Sequence, residues 1–269
     1  MIIRYSFVFQ VFFVVNSSDF QAVMNSKHIF ILSFIVGALS NELPDYLKDK
    51  RCSLKKDFKD CFIKNGNLAI PLVVRGDPEY HIPKMNPMEI SFIELISTPS
   101  LGLNLTNVKL YGLGEVRLED LKFSWEENWW TLYLKSDNIT IEGDYAVDGK
   151  VLIMPIKGNG RFNVLLKNGR FSASSNVRIV EMNGEKYFKP LNMSMEYKFD
   201  KVEFNFDNLF DGNKELGDQV NRFLNENWSP LLKDFGPGIA STIAAIIKDI
   251  FQKFSAKISL KGYFLDYDN

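Results

Sequence analysis

Cys52, Cys61 and His81 are the side chains of this sequence best suited to redox, metal or nucleophilic chemistry. The two cysteines are the only ones in the chain, and they lie in an amphipathic stretch, residues 43–63. In an oxidising compartment we expect them to pair, and a disulfide closing so short a loop contributes about 2 to 3 kcal/mol in the chain-entropy model. A shared metal ion is the alternative, but a structural zinc usually has four ligands, and His81 is the only histidine after residue 40. We therefore predict a disulfide, and no metal site or cofactor.

The sequence contains little that indicates a catalytic site. A Ser/His/Asp arrangement would have to be built around His81, which lies in a proline-rich loop, and no Gly-x-Ser-x-Gly motif occurs. The glycine pairs Gly112/Gly114 and Gly158/Gly160 do not read as phosphate-binding loops, because no helical pattern follows them. We predict that the protein is not an enzyme.

Three glycosylation sequons, which begin at Asn104, Asn138 and Asn192, fall on the polar faces of predicted strands. In a strand, the Asn and the Thr or Ser two residues later point to the same side, and here the apolar residues occupy the opposite side. This agreement supports both the strands and passage through the secretory pathway, so we predict glycosylation at all three. A fourth sequon, at Asn227, is followed by Pro230 in a helical stretch, and we do not expect it to be used.

The first 40 residues have the pattern of a presequence. Two apolar runs, residues 7–15 and 29–37, are shorter than the roughly 20 residues that span a bilayer. If translation starts at Met24, a short polar opening precedes an apolar run, residues 29–36, and the small residues Ala38 and Ser40 follow it. This pattern is typical of a secretory signal cleaved after Ser40. We predict a secreted, extracellular protein whose residues 41–269 form a single domain. A retained signal anchor is the alternative.

The composition excludes some partners. The formal net charge is −1, and it is −2 without residues 1–40, so the chain has no electrostatic footprint for nucleic acid. No Lys/Arg block suited to an anionic membrane is present. The aromatic residues are abundant, with 23 Phe, 10 Tyr and 4 Trp, and a curled sheet would use many of them in its core.

Residues 88–207 alternate between apolar and polar positions, which is typical of strands with one buried face. Turns are signalled at Asp148-Gly149, Asn168-Gly169 and Asn183-Gly184, with further breaks at residues 112–114, 126–128 and 158–160. These spacings predict an antiparallel meander of roughly eight to ten strands. The run at residues 151–156 is apolar on both faces, which indicates a strand covered on both sides, with Pro155 at an edge or bulge.

A long helical pattern, residues 209–254, follows the strands. Asn213 is a candidate N-cap, and we expect Pro230 and the Gly236-Pro237-Gly238 run to kink or break the helix. Its second half is apolar nearly all round, so it must be enclosed. We predict an α+β fold in which a strongly curved antiparallel β-sheet wraps around a long C-terminal α-helix. Small residues on the helix, such as Ala240 and Ala244, leave room for an apolar cavity; bulky side chains filling that space are the alternative.

Several motifs resemble the takeout and juvenile-hormone-binding proteins of insects. They include Leu43-Pro44 before the cysteine pair, the proline-rich residues 77–87, and residues 107–113, 141–145 and 158–160. The most specific is residues 206–217, Phe-Asp-Asn-Leu-Phe-Asp-Gly-Asn-Lys-Glu-Leu-Gly, which continues through residues 223–228 to Pro237. The resemblance implies secretion, a disulfide matched by Cys52 and Cys61, a tubular lipid-binding architecture and a lipid-like ligand in a hydrophobic tunnel. It also suggests a link to circadian rhythm. The tail, residues 255–269, departs from the family and is expected to add a strand or cover one tunnel mouth.

These observations favour a secreted, monomeric carrier of an elongated hydrophobic small molecule, such as juvenile hormone or another terpenoid or fatty-acyl lipid, with no nucleic-acid partner and no stable membrane insertion. The residues expected to line the cavity are Leu105, Ile141, Tyr145, Met193, Met195, Tyr197, Phe204, Ile243, Ile247 and Phe251. Tyr145 or Tyr197 would give a polar end of the ligand one hydrogen bond. A membrane-docking lipid-transfer protein and a secreted interaction protein with a filled core are the alternatives.

Overall fold

The structure is a computed structural model that describes residues 42–98 and 101–267. The predicted presequence, with its start at Met24 and cleavage after Ser40, lies outside the described residues. Five α-helices occur in this part of the chain: α1 Asp45–Lys48, α2 Phe58–Val73, α3 Lys214–Glu226, α4 Trp228–Ser255 and α5 Leu260–Tyr263. None of them combines the length and the apolar character that crossing a lipid bilayer requires.

The described strands form one antiparallel sheet of eight members. Their bounds are β1 Met88–Thr98, β2 Leu101–Tyr111, β3 Arg117–Ser124, β4 Trp129–Val151, β5 Met154–Met182, β6 Glu185–Pro190, β7 Ser194–Lys198 and β8 Lys201–Phe206. The order is β1-β2-β4-β5-β6, with β3 paired to β4, and with β7 and β8 paired to β5. The sheet curls around one face of the C-terminal helices, and α4 contacts β1, β6, β7 and β8. The predicted α+β architecture is confirmed.

Three of the predicted turns are wrong, because they lie inside the two longest strands. Asp148-Gly149 is part of β4, while Asn168-Gly169 and residues 158–160 are part of β5. The glycines serve close approach instead of chain reversal: a Cβ on Gly160 would lie 2.6 Å from the carbonyl oxygen of Asp207. Glycine inside a strand often marks such an approach by another backbone segment. The break at residues 126–128 and the Asn183-Gly184 turn are found as predicted.

The chain reverses between β4 and β5 at Leu152 and Ile153, so the prediction of a doubly covered strand at residues 151–156 is also wrong. Leu152 has a φ of 54°, a conformation that a Leu rarely adopts, and Ile153 is 84% exposed. An apolar turn of this kind gives no local signal, because hairpin turns are usually rich in Asn and Gly.

The C-terminal helical region breaks in a different place from the one predicted. The Asn213 side chain accepts a hydrogen bond from the Leu216 N–H, which confirms it as the N-cap of α3. The break falls at Asn227, and α4 then runs through Pro230 and Pro237. Pro230 is tolerated because it lies in the first turn of α4, where a backbone N–H has no intrahelical acceptor.

Two asparagines of α3 bind the backbone of the edge strand β8. Asn225 accepts from the Phe204 N–H and donates to the Phe204 carbonyl, both at 2.8 Å. Asn221, one turn earlier, does the same with Phe206 at 2.9 Å. The two side chains therefore satisfy the outer edge of β8 much as another strand would, and they hold α3 against the sheet.

The tail adds no strand within its described residues. It contains α5, and beyond that helix the Asp266 carboxylate accepts hydrogen bonds from the Ser53 hydroxyl and from the Leu54 N–H, at 2.5 and 2.7 Å. Ile258, which is fully buried, packs in a second apolar cluster with α1 residues and the loop after α2. The tail thus joins the disulfide-bearing segment to the end of α4.

Candidate functional site: an apolar cavity

A cavity of about 240 Å³ lies between the inner face of the sheet and the helices α3 and α4. Its lining side chains are aliphatic, aromatic or thioether groups, with one glycine and one tyrosine, Tyr197, among them. The sheet contributes residues of β2, β4, β5, β7 and β8. Such a lining offers a small molecule dispersion contacts and burial from water, and almost no hydrogen bonding.

The local patterns of the sequence explain how this wall forms. Along β5, Phe162, Val164 and Leu166 alternate with outward-facing residues, so all three face the cavity. Along α4, Leu232, Gly236, Ala240 and Ile243 recur every three or four residues, the spacing that keeps side chains on one helix face. The helix presents small residues in the middle of this face, which leaves space between α4 and the sheet.

Tyr197 supplies the hydroxyl of the cavity lining. Its phenol donates to the carbonyl oxygen of Leu232 in α4, 3.2 Å away, and burial raises its pKa. The ring lies directly over Gly236, where a Cβ would stand 1.9 Å from the phenol oxygen. Tyr197 can occupy this position only because residue 236 has no side chain.

Most of the sequence matches one family model. Residues 29–265 fit the model described as haemolymph juvenile hormone binding protein. The chain belongs to the haemolymph juvenile hormone binding protein family.

Relatives and a solved structure agree with this family. The chain is 26% identical over 229 residues to the circadian clock-controlled protein daywake of Drosophila yakuba, covering 80% of this chain and 86% of that protein. It is also 26% identical over 226 residues to daywake of Drosophila melanogaster, with the same coverage. The crystal structure of Epiphyas postvittana Takeout 1 superposes with a TM-score of 0.74 at 25% identity, covering 79% of this chain and 97% of that one.

Most of the residues predicted to bind the ligand of this family member lie together along the cavity. They are Leu105, Ile141, Met195, Tyr197, Phe204, Ile243 and Ile247. Alternation in the strands and helical spacing in α4 were sufficient to place them.

The three other predicted residues lie elsewhere. Tyr145 is 3% exposed and packs edge-to-face on Phe206, and its hydroxyl donates to the Asp207 carbonyl. Met193 lies on an outer groove beside β7. Phe251 packs edge-to-face on Trp130, with the ring centres 5.9 Å apart. These positions depend on where α4 and the loop after β8 dock, which alternation does not specify.

Sequence reasoning missed the part of α4 that carries Leu232, Phe235 and Gly236. We expected a helix break there, so its apolar face was not continued back from Ile239. The spacing of 232, 236, 239 and 243 is itself the helical signal that could have identified them.

The other predicted sites are placed as follows. Cys52 and Cys61 form a disulfide whose Cα atoms are 5.8 Å apart. Asn104, Asn138 and Asn192 are exposed, and glycosylation of them stays a prediction. The Asn192 side chain exchanges hydrogen bonds with Asn176. In residues 42–98 and 101–267, no three His, Cys, Asp or Glu side chains group closely enough to hold a metal ion.

Proposed function

We propose that the protein is a secreted carrier that binds an elongated hydrophobic small molecule, a terpenoid or fatty-acyl lipid, in the apolar cavity between the sheet and α4. The observation that carries the proposal is the apolar lining of the cavity. Among the described side chains of this lining, only Tyr197 carries a polar group, its hydroxyl. A cavity needs several polar partners to hold ordered water, whereas apolar cavities stay dry and accept apolar guests.

The size of the cavity sets the scale of the ligand. A dry cavity of about 150 Å³ accommodates a benzene molecule, and drug-sized ligands occupy roughly 300 to 1,000 Å³. At about 240 Å³, the space suits a hydrocarbon chain. Burial of about ten CH₂ groups is worth roughly 8 kcal/mol before the cost of association is subtracted.

The comparisons support the same proposal. The family description names the haemolymph and a hormone ligand for its members, and the two daywake relatives are described as clock-controlled. The disulfide Cys52–Cys61 fits an oxidising, extracellular location. We propose that this chain is likewise secreted, acts as a monomer and binds no nucleic acid.

The test is ligand capture combined with a filled cavity. Protein purified from its source should release a lipid into organic solvent, and the refolded or delipidated protein should bind fatty alcohols about fourfold more tightly for each added CH₂ until the chain outgrows the cavity. The variant Ile243→Trp should abolish this binding by filling the space. Ile250→Trp, two turns further along α4 and outside the cavity lining, is the matched control. A protein that yields no lipid and binds no alcohol at any chain length is not a carrier.

A membrane-docking lipid-transfer protein is the second candidate, and one observation favours it. The exposed turn Leu152–Ile153 lies directly beside Val151 and Ile156, which line the cavity. Flotation with liposomes distinguishes the two functions. A transfer protein should float with the vesicles and lose this property on Ile153→Asp, whereas a free carrier should stay in the aqueous fraction.

A further inference from the structure

An outer groove lies along the seam between strand β7 and helix α4. It shares Met195, Tyr197, Leu232 and Ala240 with the cavity. At this place the wall that separates the cavity from solvent is therefore a single layer of side chains.

The seam is held together differently from the rest of the sheet. β7 pairs with β5 through its residues 194–198, and on its other side it meets α4, a helix, which cannot continue the strand ladder. A hydrogen bond from the Tyr197 hydroxyl to the Leu232 carbonyl crosses the seam. Side-chain contacts and one such bond open at far lower cost than a row of strand hydrogen bonds.

The helix is also locally adaptable at this point. Pro237 has no backbone N–H, so it cannot donate to the Lys233 carbonyl one turn earlier. Gly236 and Gly238 flank it, and glycine restricts the backbone least. The Tyr197 ring occupies the space that a side chain at residue 236 would fill.

The groove differs from the cavity in polarity. Its rim carries Ser194, Glu196, Ser229, Lys233 and Ser241. All five are exposed, so a polar group that stops in the groove keeps its hydration, whereas a polar group inside the cavity loses it.

We propose that the seam between β7 and α4 is the entrance to the cavity, that Tyr197 is its gate, and that the ligand is an amphiphile whose chain enters the cavity while its polar end stays in the groove. This inference rests on the proposed carrier function. It adds the route of entry and the class of ligand, a molecule with one apolar chain and one polar end.

The gate is tested by the rate of ligand release. Stopped-flow fluorescence of bound cis-parinaric acid, an 18-carbon fatty acid, should show release at least tenfold faster from Tyr197→Ala than from the wild type. Tyr197→Phe keeps the ring and loses the bond to Leu232, so its release should be about two- to tenfold faster. Gly236→Ala should accelerate release because its Cβ displaces the phenol.

Two further variants make this test specific. Gly217→Ala is the matched control, since Gly217 is also a helical glycine and the nearest atom to its added Cβ would be 3.8 Å away. It should release at the wild-type rate. In the Tyr197→Ala background, Gly236→Ala should have no further effect, because the ring that it displaces is already gone.

The polar end is tested with a bulky head group. Palmitoyl taurine should displace cis-parinaric acid with an affinity within about threefold of palmitic acid, because the groove is open to solvent. A ligand enclosed on all sides would exclude the conjugate.

The outcomes separate the two proposals. Wild-type protein that binds neither cis-parinaric acid nor palmitic acid overturns the carrier function, and the entrance with it. Normal binding with unchanged release from both Tyr197→Ala and Gly236→Ala overturns the gate alone. Exclusion of palmitoyl taurine with normal palmitic acid binding overturns the placement of the polar end in the groove.

Discussion

The hydroxyl of Tyr145 on β4 donates a 2.5 Å hydrogen bond to the carbonyl oxygen of Asp207, directly after β8. Alternation alone would turn this residue toward a ligand, yet its hydroxyl binds the segment that connects the sheet to α3. We expect Tyr145→Phe to lower the free energy of unfolding by about 1 kcal/mol, because the partly buried hydrogen bond to the Asp207 carbonyl is lost. Urea denaturation measures this change. Ligand affinity should be unaltered. A loss of affinity as large as that caused by substituting a residue of the cavity lining would show that Tyr145 contacts the ligand.

The same tyrosine predicts a dependence on alkaline pH. Burial, followed by the nearby Asp207, raises its pKa from 10.0 to about 12. The unfolded chain therefore releases this proton at a lower pH than the folded protein does, so the contribution to stability is complete below pH 10 and is lost as the pH rises toward 12. Thermal melts across this range should fall less steeply for Tyr145→Phe than for the wild type. Equal slopes would show that the phenol titrates normally in the folded state.

Asn225 should be among the polar residues most important for stability. Asn225→Ala removes both hydrogen bonds to Phe204 and leaves the edge of β8 unsatisfied, so we expect a loss of about 2 kcal/mol in urea denaturation. Asn225→Asp keeps an acceptor for the Phe204 N–H, but its second carboxylate oxygen replaces the donor and repels the Phe204 carbonyl oxygen. This variant should be destabilising as well. Asn205→Ala, at an exposed position of β8, serves as the control. It should lower the free energy of unfolding by about 0.5 kcal/mol at most. A result for Asn225→Ala as small as the control would contradict the role of α3 as an edge cover.

The Asp266 carboxylate should make stability sensitive to acid. Hydrogen bonds from Ser53 and from the Leu54 N–H lower its pKa. A lowered folded-state pKa gives stability that is present above the ordinary carboxyl pKa of about 4 and is lost as the pH falls further. Asp266→Asn should melt at a lower temperature than the wild type at neutral pH, and the difference should shrink in acid. A difference that does not change with pH would indicate a contribution from packing instead of charge.

Leu152 offers a route to a more stable protein. Its φ of 54° is unfavourable for a Leu and well tolerated by Asn. Leu152→Asn should therefore raise the free energy of unfolding by about 0.5 to 1 kcal/mol. The neighbouring substitution Ile153→Asn makes the same change in polarity at a residue without a positive φ, so it should give no comparable gain. If both variants gain equally, polarity and not backbone strain is the cause.

The sequence predicted those features that short-range periodicity controls. Alternation at Leu105, Ile141 and Phe204 identified the inner face of the sheet, and the spacing of Ile243 and Ile247 identified the inner face of α4. The N-cap at Asn213 and the disulfide followed from chemistry that operates over a few residues. These features depend little on how distant segments meet.

The errors have one physical origin, which is tertiary packing that outweighs local preference. Gly149 and Gly158 are typical of turns in sequence. In the structure, Gly149 pairs with Ile156 and Gly158 pairs with Val147, and this pairing keeps both glycines in the long strands. Pro237 reads as a helix breaker, yet contacts with the sheet hold α4 together around it. What Tyr145, Met193 and Phe251 contact is set by the docking of other segments.

Helix α4 is the last long element of the chain, and it contacts strands at both margins of the sheet. During synthesis, the strands with their apolar inner face therefore leave the ribosome before α4, the helix that covers this face. This apolar surface can be covered only after residues 228–255 have been synthesised, so the partly made chain is exposed to aggregation until α4 packs against the sheet.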